Sequence, residues 1–144
     1  MDQGLRRVLA IFHSTALAGL VVGCGSGEDP HPPTVPVQGK VTYQGQPVTK
    51  GTITFQPPGG RPSVGEIQPD GTYSLSTYGQ KDGAILGPHQ VMIVANTGDP
   101  TKMPSSPGYV VPKDLVPQKY SSLETSGLEA VVTSEKKSYD FDLK

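Results

Sequence analysis

The 144-residue chain has one cysteine and no tryptophan, and only 17% of its residues are charged. A single thiol excludes an intramolecular disulfide framework and any cysteine-rich zinc site. Its 12 basic and 13 acidic residues nearly cancel, so the composition offers no clustered basic surface for nucleic acid. Long hydrophobic runs are absent too. The mostly apolar stretch 8–23 is 16 residues long and is interrupted by His13, Ser14 and Thr15, short of the roughly 18–20 that a membrane-crossing helix requires. What is abundant is Gly (18) and Pro (15). Both are poor in helix interiors, which argues against a helical bundle.

The N-terminus carries the most specific pattern. Arg6 and Arg7 precede the apolar stretch, as in a secretory signal peptide, and the stretch closes on Val21-Val22-Gly23-Cys24 followed by Gly25-Ser26-Gly27. This resembles the lipobox of bacterial lipoproteins. The resemblance implies a signal peptide over 1–23, cleavage between Gly23 and Cys24, and diacylglycerol on the Cys24 sulfur. A thiol is the soft nucleophile that thioether formation requires. Two or three acyl chains, at about 0.8 kcal/mol per buried CH₂, would hold the protein on a membrane essentially permanently. The membrane lipid reached through Cys24 is thus the expected partner, and the cell envelope outside the cytosol the expected location. Gly25 stands where an Asp would signal inner-membrane retention, which makes the outer membrane the expected destination. Cleavage leaves 121 residues with 10 basic and 12 acidic side chains and no free thiol, which suits an oxidising compartment.

Residues 24–36 combine the lipidated Cys24 with four prolines and little to bury. Such a segment cannot offset its ordering entropy and reads as an extended tether. In polyproline II its residues 25–36 would span roughly 35 Å. His31, inside it, reads as an inert solvated side chain.

From 37 to 144 short alternating runs separated by turn residues predict a β-domain. Val37, Val41 and Tyr43 share one face against Gln38, Lys40 and Thr42. Ile53 and Phe55 alternate with Thr52, Thr54 and Gln56. A weaker strand covers 63–67. Pro69-Asp70-Gly71 makes a tight turn, and Tyr73, Leu75 and Thr77 follow on one face. The run 89–95 is apolar enough for a central strand covered on both faces. Leu128, Ala130 and Val132 precede a final alternating strand with Tyr139, Phe141 and Leu143 inward. Seven strands result. The long loop 96–126, with five prolines spread through it, departs from this rhythm. Its Tyr109, Val110, Val111, Leu115, Val116 and Tyr120 are expected to pack on the sandwich, not to form a ligand-contacting lid.

The succession Val37-Gln38-Gly39-Lys40-Val41-Thr42-Tyr43, Gly45-Gln46-Pro47-Val48, Gly51-Thr52-Ile53-Thr54-Phe55 and Asp70-Gly71-Thr72-Tyr73, then Gly87-Pro88-His89-Gln90-Val91-Met92-Ile93, resembles carboxypeptidase regulatory-like domains. The likeness covers roughly 37–95. It implies an all-β fold: a seven-stranded antiparallel Greek-key β-sandwich of the transthyretin-like, prealbumin-like kind. Its motifs are mostly turn chemistry, so they speak for the fold and hardly for a function.

Enzymes on related sandwiches set definite tests. Intradiol dioxygenases need two His and two Tyr on iron, whereas this domain has only His89. Hydroxyisourate hydrolase uses several His and Arg and a C-terminal Tyr-Arg-Gly-Ser, whereas this chain ends Tyr139-Asp140-Phe141-Asp142-Leu143-Lys144 and keeps only Arg61 after cleavage. A Ser-His-Asp triad would have to be built on His89 without a nucleophile-elbow sequence. Following Gly87-Pro88, His89 reads instead as a strand-entry residue with its ring at the surface. A Lys–Asn isopeptide crosslink would need Asn96, the sole Asn, and Lys40 lies on the polar face. Asp140 and Asp142 with Asp70 suggest calcium less than they suggest charges guarding a sheet margin. The expectation is no enzyme, no cofactor and no metal: a lipid-anchored envelope module with a structural or protein-interaction role. The alternative is a binding module for an envelope glycan or peptide, using an exposed sheet edge or the 96–126 loop, with Tyr78, Tyr109 and Tyr120 as stacking surfaces.

Overall fold

The structure, a computed structural model, describes residues 30–99 and 101–144. Gly23 and Cys24, and with them the signal peptide, the cleavage point and the first half of the tether, lie outside the described residues. Residues 31–144 form one compact unit, mostly β, in several sheets.

The long strands form where the alternation falls. Strands β2 (Gln38–Tyr43), β4 (Gly51–Gln56), β5 (Ser63–Ile67), β6 (Thr72–Ser74), β8 (Gly87–Val94), β9 (Leu128–Val132) and β10 (Phe141–Leu143) correspond to the seven expected runs. Three two-residue strands add to them: β1 (Thr34–Val35), β3 (Gln46–Pro47) and β7 (Ala84–Ile85). One sheet runs β5-β4-β8-β9; the other runs β10-β2-β3, with β6 also on β2. The two share one core, an arrangement compatible with an all-β sandwich. Val41, Tyr73 and Leu143 come from one sheet and Ile53, Phe55, Val91, Ile93, Ala130 and Val132 from the other, all buried. At the centre the ring of Phe55, wholly buried, meets those of Tyr73, Tyr139 and Phe141 at centroid distances of 5.9–6.3 Å. Two of these contacts are edge-to-face, the arrangement that the ring quadrupoles favour.

Three expectations are corrected. The pairing is not wholly antiparallel: β10 lies parallel to β2, with Phe141 opposite Val41 and Leu143 opposite Tyr43. Strand β8 is covered on one face only. His89, Val91 and Ile93 are buried while Gln90 and Val94 are exposed. The tether ends sooner than position 36. Thr34 and Val35 pair with Ile85 and Ala84 as the β1–β7 sheet, and Val35 packs against the core. Gly83 permits this docking. Its φ of +89° suits glycine, and a Cβ there would stand 1.8 Å from the Val35 carbonyl oxygen. His31 is stacked on Tyr78, centroids 4.2 Å apart and rings 7° from parallel. Arg61 lies 5.7 Å from the same Tyr78 ring.

The loop 96–126 divides in two. Its base is clasped by the Asn96–Asp114 bridge and by Thr97 N–H donating to the Lys113 carbonyl. Beyond it Val116 and Tyr120 are buried. A 3₁₀ turn, Gln118–Ser121, and a single helical turn, α1 (Leu123–Ser126), follow; Ser122 caps α1 and Gly127 ends it with φ +61°. Ser126 Oγ donates to the Val91 carbonyl at 2.6 Å. The distal part is solvated, with Met103, Val110 and Val111 each 71% exposed. The expected packing therefore holds for 114–126 and fails at Val110 and Val111. Among the described residues no helix is long and apolar enough to cross a membrane.

Candidate functional site

Three of the ten strands, β2, β5 and β6, turn polar side chains into a surface trough of about 830 Å³. Alternation produces it. The inward residues of these strands, Val41, Tyr73 and Ile67, fill the core, so the intervening ones must face out. From β2 come Gln38 and Lys40, from β5 Val64 and Glu66, and from β6 Thr72 and Ser74. Ser138 and Asp140, next to β2, and Gln80 and Lys81, from the turn after Thr77, complete the lining.

The floor depends on two close approaches. Strand β6 forms its ladder with β2, pairing Gln38 with Ser74 and Lys40 with Thr72. It meets β5 only through the Val64–Ser76 bridge and the turn at Gln68–Thr72. At Gly39 a Cβ would lie 1.9 Å from the Tyr139 carbonyl oxygen. Glycine is required there, and it lets the Tyr73 hydroxyl donate to that same carbonyl at 2.6 Å. Burial pushes the Tyr73 phenol above its ordinary range, so it remains a neutral donor.

The rim is held by carboxylates. Asp82 accepts from the N–H groups of Thr77, Tyr78 and Gly79 at 2.7–3.0 Å. Burial alone would raise its pKa, but the three donors outweigh it and hold the carboxyl below the usual range. This cage fixes the turn in which Lys81 takes φ +54° and its N–H donates to Ser76 Oγ. A non-glycine residue in that region is uncommon. Across the trough Asp140 accepts from the Lys40 N–H at 2.9 Å. Asp70 accepts from both the N–H and the hydroxyl of Thr72, which lower its pKa.

The residues singled out in the sequence do not converge. Tyr120 is buried, with its hydroxyl donating to the Lys144 carbonyl and accepting from the Lys144 N–H at 2.9 and 3.1 Å. Tyr78 is half-buried beneath His31. Tyr109 lines a separate hollow of about 200 Å³ in the distal loop. The three tyrosines make no common stacking surface. His89 is corrected outright: its ring is buried, 2% exposed, against Phe55 at 5.9 Å. The alternation of β8 puts position 89 on the core face. Its Nδ1 lies 3.0 Å from the Gly87 carbonyl, which can only accept, so Nδ1 carries the proton and Nε2 presents a lone pair. That Nε2 is buried without a hydrogen-bond partner. His89 bonds to no serine and no carboxylate. Asn96 holds the Gly98 N–H and is not among the trough residues with Lys40. No group of three or more His, Cys, Asp or Glu is placed to hold a metal among the described residues. The trough itself escaped the sequence reading, though its signal was present as the polar half of three alternating strands.

Compared with protein-family models, with curated proteins and with solved structures, the chain matches none.

Proposed function

We propose that this protein is a lipid-anchored, non-catalytic module of the cell envelope with a structural or protein-interaction role. The observation that carries the reading is the sole cysteine, set in Val21-Val22-Gly23-Cys24 behind Arg6, Arg7 and a stretch too short to span a bilayer. In this reading the signal is cut after Gly23, Cys24 carries diacylglycerol, and the β-domain works outside the cytosol, with the outer membrane the preferred surface. The finer fold assignment belongs here too. Strands β4, β5 and β6 follow one another, and β6 returns beside β2. That order supports a Greek-key arrangement of the transthyretin-like, carboxypeptidase regulatory-like kind. A non-catalytic role is supported by His89, whose ring is held by a backbone carbonyl and the Phe55 ring instead of a nucleophile and an acid.

The test is fractionation of the host. Wild-type protein is expected in the membrane fraction, with the mass of a lipid on Cys24, and Cys24→Ala in the soluble fraction. A Cys24→Ala protein that still sediments with membranes overturns the anchor.

A second reading, a binding module for an envelope glycan or peptide, is favoured by the polar trough over the loop tyrosines that the sequence suggested.

A further inference from the structure

The trough is built on strands, which hold side chains in place better than loops do. Its volume, about 830 Å³, lies within the roughly 300–1,000 Å³ of small-ligand sites. Its lining differs from most such sites, because Val64 is its only aliphatic side chain. Lys40 and Lys81 balance Glu66 and Asp140, so the formal charge of the lining is zero. Six side chains there make no hydrogen bond of their own among the described residues: Gln38, Lys40, Glu66, Ser74, Gln80 and Lys81. Together they offer amide and ammonium donors, amide and carboxylate acceptors, and a hydroxyl that serves as either.

These features select among ligand classes. A strongly charged ligand would meet one like charge for every opposite one. A planar aromatic ligand would need a ring to stack on, and the only ring present, Tyr73, is buried with its hydroxyl committed to Tyr139. A peptide is recognised by strand addition at a free edge or by apolar side-chain pockets. Here the gap between β5 and β6 is closed at one end by the Val64–Ser76 bridge and at the other by the Gln68 N–H donating to the Thr72 carbonyl, which leaves no continuous free edge for an added strand, and no apolar pocket lines the hollow. A polyol needs neither. It offers alternating donors and acceptors without charge, and its C–H face can rest on Val64, 42% exposed.

We propose that this trough binds a neutral oligosaccharide, with Gln38, Glu66, Ser74, Gln80 and Lys81 hydrogen-bonding its hydroxyls. The proposal rests on the binding reading above and adds its location and ligand class.

The experiment uses the full chain in phosphocholine micelles, followed by amide chemical shifts during titration with maltohexaose, chitohexaose and an Ala-Gly hexapeptide. Either sugar is expected to shift residues of β2, β5, β6 and the 80–81 turn. Glu66→Ala combined with Gln80→Ala should weaken that binding about tenfold, the scale of one hydrogen bond to a charged group, without altering thermal unfolding. No response to either sugar, or shifts confined to 97–113, overturns the proposal. A response to the hexapeptide alone overturns the sugar assignment while leaving a binding role standing, and the Cys24→Ala fractionation is independent of all these results.

Discussion

At the scale of single residues, His89 matters more than its sequence position suggested. A buried imidazole with Nε2 unpartnered is tolerable only while neutral, because protonation would put a charge and an unmet N–H donor into the core. Burial therefore lowers its pKa below the ordinary value, and the Gly87 carbonyl only partly opposes this. In the unfolded chain the imidazole takes up its proton near pH 6.5. As pH falls below that point the unfolded state binds protons that the folded state still refuses, so stability declines until the folded value is reached. His89→Leu is expected to flatten the fall in melting temperature between pH 7 and pH 5. A variant that keeps the wild-type slope would show that other groups cause it. Two local signals at this position point in opposite directions. Gly87-Pro88 argues for a strand entry, whereas the register of Val91 and Ile93, two and four residues on, places position 89 inward.

At the scale of elements, the contacts that the alternation could not foretell are those made by short segments. The tether reads as unstructured by composition, yet Thr34 and Val35 find unpaired backbone at Ala84 and Ile85. Pairing of two residues leaves no periodic trace. Gly83→Ala would drive a methyl group into the Val35 carbonyl. It should release β1, seen as fast amide exchange at Val35 and Ile85 and proteolytic cleavage near 34, while the core strands stay protected. The C-terminal half of the long loop was legible through its apolar content, and its fastening was not. Tyr120 clasps both backbone groups of Lys144. Tyr120→Phe removes those bonds and should cost about 1–2 kcal/mol in denaturant unfolding. A variant as stable as wild type would mean that ring packing alone docks the segment. By contrast Pro69-Asp70-Gly71 behaves as its chemistry dictates, since an Asp side chain and a glycine define a turn without help from distant residues.

At the scale of the whole molecule, the mostly β character and most of the core followed from alternation, because burial of one sheet face has period two and leaves a readable stripe. The parallel placing of β10 beside β2 was hidden. The two strands lie about a hundred residues apart, and inward side chains look the same in either direction. Since the compact unit starts at His31 and among the described residues its core uses none before Val35, lipid should be dispensable for folding. Soluble Cys24→Ala protein is expected to unfold in a single calorimetric transition at the wild-type temperature; a lower or broadened transition would make the anchor part of the folded structure.

The margin of β9 adds one more consequence. The Tyr139 hydroxyl receives the Thr133 N–H at 3.2 Å and donates to the Val131 carbonyl at 2.9 Å, occupying backbone groups that another copy would otherwise seek. Molecules confined to a surface meet far more often than the same number in bulk solution. If the protein is anchored as proposed above, this phenol takes two backbone groups at that margin away from neighbours in a dense two-dimensional layer.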